Sequence, residues 1–260
     1  MKKLFLLLAL SALCTGALAQ DLDLDINQIS LSRSDAAIET ELEFGLPMYF
    51  GWTALTGVNY KGAWDYLRRD ALDYIGRDNF LDTRTGKNFV YGFEMAAVHF
   101  SKPGGNWDVS LGLRWTFMDF TLQDSQVTFR KVHPVTTNLA GNGNVYYPYP
   151  IQAETSNYNG RKSKIHGSYI GIPLRITYKT GDARIFAGAS AEYLLKGYSK
   201  YRSPKNRQDV TPMFNPFRAT IEAGVSYSSL GLFVLYGLTP LFPAELSDAR
   251  TLTIGLLLDL

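Results

Sequence analysis

The stretch Trp107-Asp108-Val109-Ser110-Leu111-Gly112-Leu113-Arg114-Trp115-Thr116-Phe117 sorts by parity: every odd position is apolar, and the even ones read Asp, Ser, Gly, Arg, Thr. In an extended strand successive side chains point to opposite faces, so this segment has one greasy side and one polar side that carries charge. On a helix the same residues would be scattered around the circumference. The segment is therefore read as a strand in a wall with different surroundings on its two sides.

The pattern recurs along the chain. Leu42, Phe44, Leu46, Met48, Phe50 and Trp52 alternate with Glu41, Glu43, Gly45, Pro47, Tyr49 and Gly51. Phe89, Tyr91, Phe93, Met95 and Ala97 oppose Val90, Gly92, Glu94 and Ala96. Ile170, Ile172, Leu174, Ile176 and Tyr178 oppose Tyr169, Gly171, Pro173, Arg175 and Thr177. Ile185, Ala187, Ala189, Ala191, Tyr193 and Leu195 oppose Arg184, Phe186, Gly188, Ser190 and Glu192. Phe217, Ala219, Ile221, Ala223, Val225 and Tyr227 oppose Arg218, Thr220, Glu222, Gly224 and Ser226. A mixed apolar run, Leu232 to Leu238, and the closing Leu252, Ile254, Leu256, Leu258, Leu260 bring the expected strands to eight.

The connections between them alternate long and short: residues 53–86, then Ser101-Lys102-Pro103-Gly104-Gly105, then 121–165, Thr180-Gly181-Asp182, 198–216, Ser228-Ser229-Leu230, and Leu241 to Ala249. Outer-membrane barrels have short periplasmic turns and long external loops, and an even strand number returns both ends to one side. The expected fold is all-β, a closed antiparallel eight-stranded transmembrane β-barrel with its strands over about 39–260. A soluble β-sandwich is the alternative that shows the same alternation. The continuity of the greasy faces and the aromatics at strand ends, Trp52, Trp107, Trp115, Tyr178 and Tyr227, favour the barrel. Residues 21–38 open with alternating Asp21-Leu22-Asp23-Leu24-Asp25-Ile26, which fits a lumen-entering or periplasmic segment, and Trp64 to Ile75 has helical spacing.

The first twenty residues read as a secretory leader: Lys2 and Lys3, the apolar run Leu4 to Leu10, then Ala17-Leu18-Ala19, with cleavage expected after Ala19. The domains are then 1–19, a signal peptide, and 20–260, one barrel domain. A lipoprotein would use Cys14, but Leu13 is bulky where that cleavage needs a small residue. Cleavage after Ala19 leaves a mature chain without cysteine, so no disulfide framework. No apolar run beyond the leader reaches 18 residues, so no transmembrane helix is expected. Without Lys2 and Lys3, basic and acidic residues are equal in number at 24 each, which gives no case for nucleic acid. The three histidines, His99, His133 and His166, lie far apart, so no metal and no cofactor is expected.

The polar faces collect Glu41, Glu43, Glu94, Asp108, Glu192 and Glu222 against Arg114, Arg175, Lys179, Arg184, Lys196 and Arg218. An eight-stranded barrel is just wide enough for its side chains to fill, so these groups are expected to pair as a lumen charge network. Its members are Glu94, Asp108, Arg114, Arg175, Arg184, Glu192, Arg218 and Glu222. In the longest loop Tyr146, Tyr147 and Tyr149, with Arg161 and Lys162 after them, combine rigid aromatics with cations and are the candidate binding residues for glycan, lipid phosphate or protein. The competing reading is that these aromatics pack over the barrel mouth.

The segment Ser168-Tyr169-Ile170-Gly171-Ile172-Pro173-Leu174-Arg175-Ile176-Thr177-Tyr178, the following strand with Gly188, and Tyr236-Gly237-Leu238-Thr239 resemble the core of the PorT-like outer-membrane β-barrel family found in Bacteroidota. The resemblance spans about residues 87–260. It implies an outer-membrane location and, for the namesake branch, assistance to a secretion machine. Leu260 stands where such barrels usually end in an aromatic residue.

The expected function is an integral outer-membrane barrel with a structural, binding or accessory role in the cell envelope and no enzymatic activity. Outer-membrane lipid and an envelope protein are the expected partners, and the barrel is expected to be monomeric. The alternative is a barrel enzyme acting on lipid or peptide at the external rim, with His166 beside Ser163 and Ser168. Spacing alone supplies no acidic partner for it.

Overall fold

The computed structural model describes residues 23–25, 28–31, 38–44, 47–66, 79–125, 127–129, 136–138, 144–146, 151–153, 162–202 and 205–259. Its strands are β1 (Asp23–Asp25), β2 (Gln28–Leu31), β3 (Glu39–Glu43), β4 (Met48–Thr56), β5 (Phe89–Ser101), β6 (Trp107–Thr121), β7 (Val127–Phe129), β8 (Thr136–Asn138), β9 (Asn144–Tyr146), β10 (Ile151–Ala153), β11 (Ser163–Thr180), β12 (Ala183–Arg202), β13 (Lys205–Asp209), β14 (Phe217–Tyr227), β15 (Leu230–Gly237) and β16 (Arg250–Leu258). Helix α1 is Gly62–Tyr66, within the segment whose spacing predicts a helix, and residues 67–78 lie outside the described ones.

Eight strands close on themselves. Antiparallel pairing runs β4, β5, β6, β11, β12, β14, β15, β16 and back to β4, where Leu256 faces Phe50 and Gly255 faces Gly51. Closure leaves no free edge in the wall, the condition for β-structure to survive in hydrocarbon, where an unpaired backbone group costs several kcal/mol. It also rules out the sandwich. The outside is greasy: Ile172, Ile185 and Ile254 are 54%, 57% and 56% exposed, while Arg114, Glu192 and Arg218 inside are no more than 3% exposed. That inversion of the usual arrangement is what a lipid solvent imposes. Trp107 packs on Tyr178 at 5.0 Å near the turn end of the wall, an aromatic girdle position.

The expected first strand is two pieces, β3 and β4. Pro47 has no N–H to give a ladder, and its carbonyl instead accepts from the Glu94 N–H at 3.1 Å. Directly opposite, β5 carries a bulge: Glu94 faces Arg114 and Ala96 faces Leu113, so Met95 has no cross-strand partner. An extra residue reverses the alternation beyond it. Ala97, read from sequence as lipid-facing, therefore turns inward and lines the lumen with His99 and Ser101. The segment before β3, left open by the sequence, contributes β1 and β2, which extend the sheet from β3 as an antiparallel branch.

A second bulge lies in β12. Ser168 faces Lys196 but Tyr169 faces Leu194, so Leu195 is the extra residue. Lys196, expected inside, is exposed on the outer wall, and Leu194 is buried. Beyond the barrel, β12 continues into a hairpin with β13, and the longest loop holds two short nested pairs, β7 with β10 and β8 with β9.

Candidate functional site in the barrel lumen

Inward positions of the strands are alternately small and large, and the glycines make room for rings. A Cβ on Gly92 would overlap the Tyr49 hydroxyl, and one on Gly224 would overlap the Phe186 ring, so these two positions admit only glycine beside those aromatics. Tyr49 then spans the lumen to Thr116, hydroxyl to hydroxyl at 2.5 Å.

Across the middle of the lumen runs an ionic belt. Arg114 donates to Glu222 through both terminal nitrogens, at 2.6 and 2.9 Å, and lies 3.6 Å from Glu94. Arg175 donates through Nε to the same Glu222 at 2.9 Å and through Nη2 to Glu94 at 3.4 Å. Arg218 stands 3.3 Å from Glu192 and donates to Thr251 at 3.1 Å. Three arginines meet three glutamates, so the belt is neutral and each buried charge has an opposite partner. Each guanidinium also faces a ring: Arg114 over Tyr49 at 5.3 Å, Arg175 over Phe186 at 5.0 Å, Arg218 over Tyr169 at 5.6 Å.

Six of the eight residues assigned to the charge network from sequence are in this belt. The other two, Asp108 and Arg184, lie nearer the short turns, in a cavity of about 560 Å³ whose wall includes Glu43, His99, Lys179 and Asp259. There His99 bridges Asp108 at 2.9 Å and Glu43 at 3.2 Å, and Arg184 donates to Asp259 at 2.6 Å. His99, read from sequence as a solvated or lumen-side imidazole, is on the lumen side and is a clasp between β3 and the barrel wall. Its role follows from the β5 bulge, which no local signal announces.

The loop side is closed by an aromatic plug. Trp64 packs on Phe242 at 5.0 Å and on Phe80 at 5.6 Å, Phe80 on Phe129 at 6.3 Å, and Phe214 on Phe242 at 5.7 Å. Beneath it Met118, Phe120, Ile165 and Tyr169 are fully buried. Two loops are latched outside the plug. The Asn59 amide donates to Asp248 at 2.8 Å, the Asp248 N–H returns a bond to Asn59 at 2.7 Å, and Lys61 pairs with the same carboxylate. Hydrogen bonds from Lys61 and Asn59 hold the Asp248 carboxyl below its usual 3.8.

Of the candidate loop residues, Tyr147, Tyr149 and Arg161 lie outside the described residues. Tyr146 ends β9, and Lys162 is half-buried just before β11. His166 has an acidic neighbour that spacing did not reveal: its Nδ1 is 2.8 Å from Asp119 Oδ1 on β6. Both project outward, since they share a face with Phe117, whose ring lies 6.1 Å from the imidazole.

The geometry is that of a filled barrel: plug, belt, and a polar mouth on the turn side. No match was found among curated proteins. A protein-family model described as outer membrane protein beta-barrel domain matches residues 49–243, about three quarters of the chain and seven of the eight wall strands, β16 lying beyond it. With the closed wall and its greasy exterior, that match identifies the chain as a member of the outer membrane protein β-barrel domain family.

Proposed function

We propose that this barrel is a non-conducting accessory component of the cell envelope, one that acts by binding and not by transport or catalysis. The observation that carries this reading is the double closure of the lumen by the Arg114–Glu222 belt and the Trp64–Phe242 plug. A fold that carries so many paired charges inside an impassable lumen has its working surfaces at the two ends: the external loops and the polar mouth. The partner we favour is another envelope protein, and the likeness of Ser168–Tyr178 to the PorT-like branch supports a part in secretion. Export through a leader cleaved after Ala19, a monomeric barrel with lipid around it, and no nucleic-acid partner belong to the same proposal.

Two measurements test it. Purified barrel in planar bilayers should give a flat current trace, and discrete conductance steps would overturn the non-conducting claim. Native gels of gently solubilised membranes should show it in an assembly larger than itself, and migration as the lone barrel in every mild detergent would overturn the accessory role.

A second reading, an enzyme acting on lipid or peptide at the external rim, has the Asp119–His166 pair in its favour. The outward hydroxyl two residues on along β11, that of Ser168, accepts instead from Trp115 Nε1 at 2.8 Å, and no hydrogen bond joins it to His166. For that reason binding stands first. If lipid- or peptide-cleaving activity is found and His166→Ala abolishes it, the order reverses.

A further inference from the structure

The β12 bulge has a consequence on the outside of the barrel. Below it, six consecutive outward positions, Ile185, Ala187, Ala189, Ala191, Tyr193 and Leu195, are all exposed and apolar. Ten residues of strand, tilted by roughly 40°, rise about 25 Å, the height of an outer-membrane hydrocarbon band. The apolar wall thus ends where the extra residue Leu195 is inserted. Because of that insertion the even positions above it face out: Lys196, Tyr198 and Lys200.

Neighbouring strands add to the same face. Lys164 is across from Lys200, His166 from Tyr198, and Arg207 of β13 lies over the Tyr198 ring at 3.7 Å. His166 stacks on the same Tyr198 ring at 4.3 Å. The carboxylate of Asp119 is already shared between His166 and Lys164, at 2.8 and 3.8 Å. Among the described residues no carboxylate lies within ion-pair reach of Lys196 or Lys200. In the same cross-strand row as Lys196 and Ser168 lies Phe117, stacked on Trp115 and Tyr91 at 5.4 and 5.2 Å, an aromatic belt at the lipid boundary.

Resting on the membrane-barrel reading, we propose that Lys164, Lys196, Lys200 and Arg207 form a binding site for the phosphate groups of an outer-leaflet glycolipid headgroup. Cations fixed just above the hydrocarbon edge meet anionic headgroups at their own level, and the acyl chains continue down the apolar face of β12. Lys196 and Lys200, neither in a direct ion pair among the described residues although Asp119 attracts Lys200 at longer range, stand beside a stacked Arg–Tyr pair and supply charge-assisted contacts to phosphate oxygens.

The test uses the whole folded barrel in phosphatidylcholine vesicles that contain either bisphosphorylated lipid A or the same lipid stripped of its phosphates. The temperature at which the folded gel band is lost should rise by about 5 °C with the phosphorylated lipid alone. The K196Q/K200Q double variant should lose that rise, and K196R/K200R should keep it. An equal rise with both lipids, or an undiminished rise in K196Q/K200Q, would overturn the site while leaving the barrel intact. A wild-type band that never shifts on heating would overturn the barrel reading itself.

Discussion

Arg114 and Glu222, more than a hundred residues apart in the chain, meet side by side in the lumen with two parallel hydrogen bonds of 2.6 and 2.9 Å. The pair lies between β6 and β14, which are not neighbours in the wall, so it ties opposite parts of the barrel together. Arg114→Met leaves Glu222 with Arg175 alone and should cost about 3–5 kcal/mol, the usual effect of breaking one side of a buried pair. The double change Arg114→Met with Glu222→Leu should recover most of that loss. Urea midpoints of the folded gel band, compared across the set, measure both.

Gly92→Val should destabilise the barrel by about 1–3 kcal/mol, because the added side chain meets the Tyr49 ring and the backbone of β6. Shortening the ring in the same molecule, Tyr49→Ala, should relieve part of the clash. A double-mutant cycle by urea unfolding in detergent gives the coupling, and strictly additive losses would show that the two positions do not touch.

The plug should be separable from the wall. Trp64→Ala removes a fully buried ring that contacts Phe80, Phe129 and Phe242, a loss of about 3–5 kcal/mol in loop docking. Limited trypsin digestion should then cut the external loops sooner, while the heat-shifted band survives. Loss of both together would mean that plug and wall unfold as one unit.

The Asp248 latch fixes the sign of a pH effect. Its carboxyl sits below 3.8 when the loops are docked, so docking is favoured above that pH and weakens as pH falls through the lowered value. The group is solvent-exposed, so the effect belongs to the loop and not to global stability. Protection factors for amide exchange at residues 57–61 and 246–249, measured against the intrinsic rate at each pH, should fall on acidification, and in Asp248→Asn they should be low at every pH.

The alternation of Trp107 to Phe117 was enough to reveal two-faced strands, because hydrocarbon on one side and paired charge on the other act on every residue of the wall. Membership of the charge network was legible for the same reason: Arg114, Glu222 and their four companions are inward by simple parity. The outward turn of Lys196 and the carboxylate partners of His99 were not legible. Each of these two residues lies past a bulge, and a bulge is a property of two strands in register, not of the residues in one.

What the chain determined by itself is therefore its solvent preference, strand by strand, and with it the closed wall and the outer-membrane setting. Tertiary structure alone decided which arginine meets which glutamate, that loops distant in sequence pool their rings over the mouth, and that Lys196 stands on the outer face of the wall. Local composition sets how a side chain partitions between water, lumen and hydrocarbon, but partners are chosen by shear and register, which exist only once the sheet has closed.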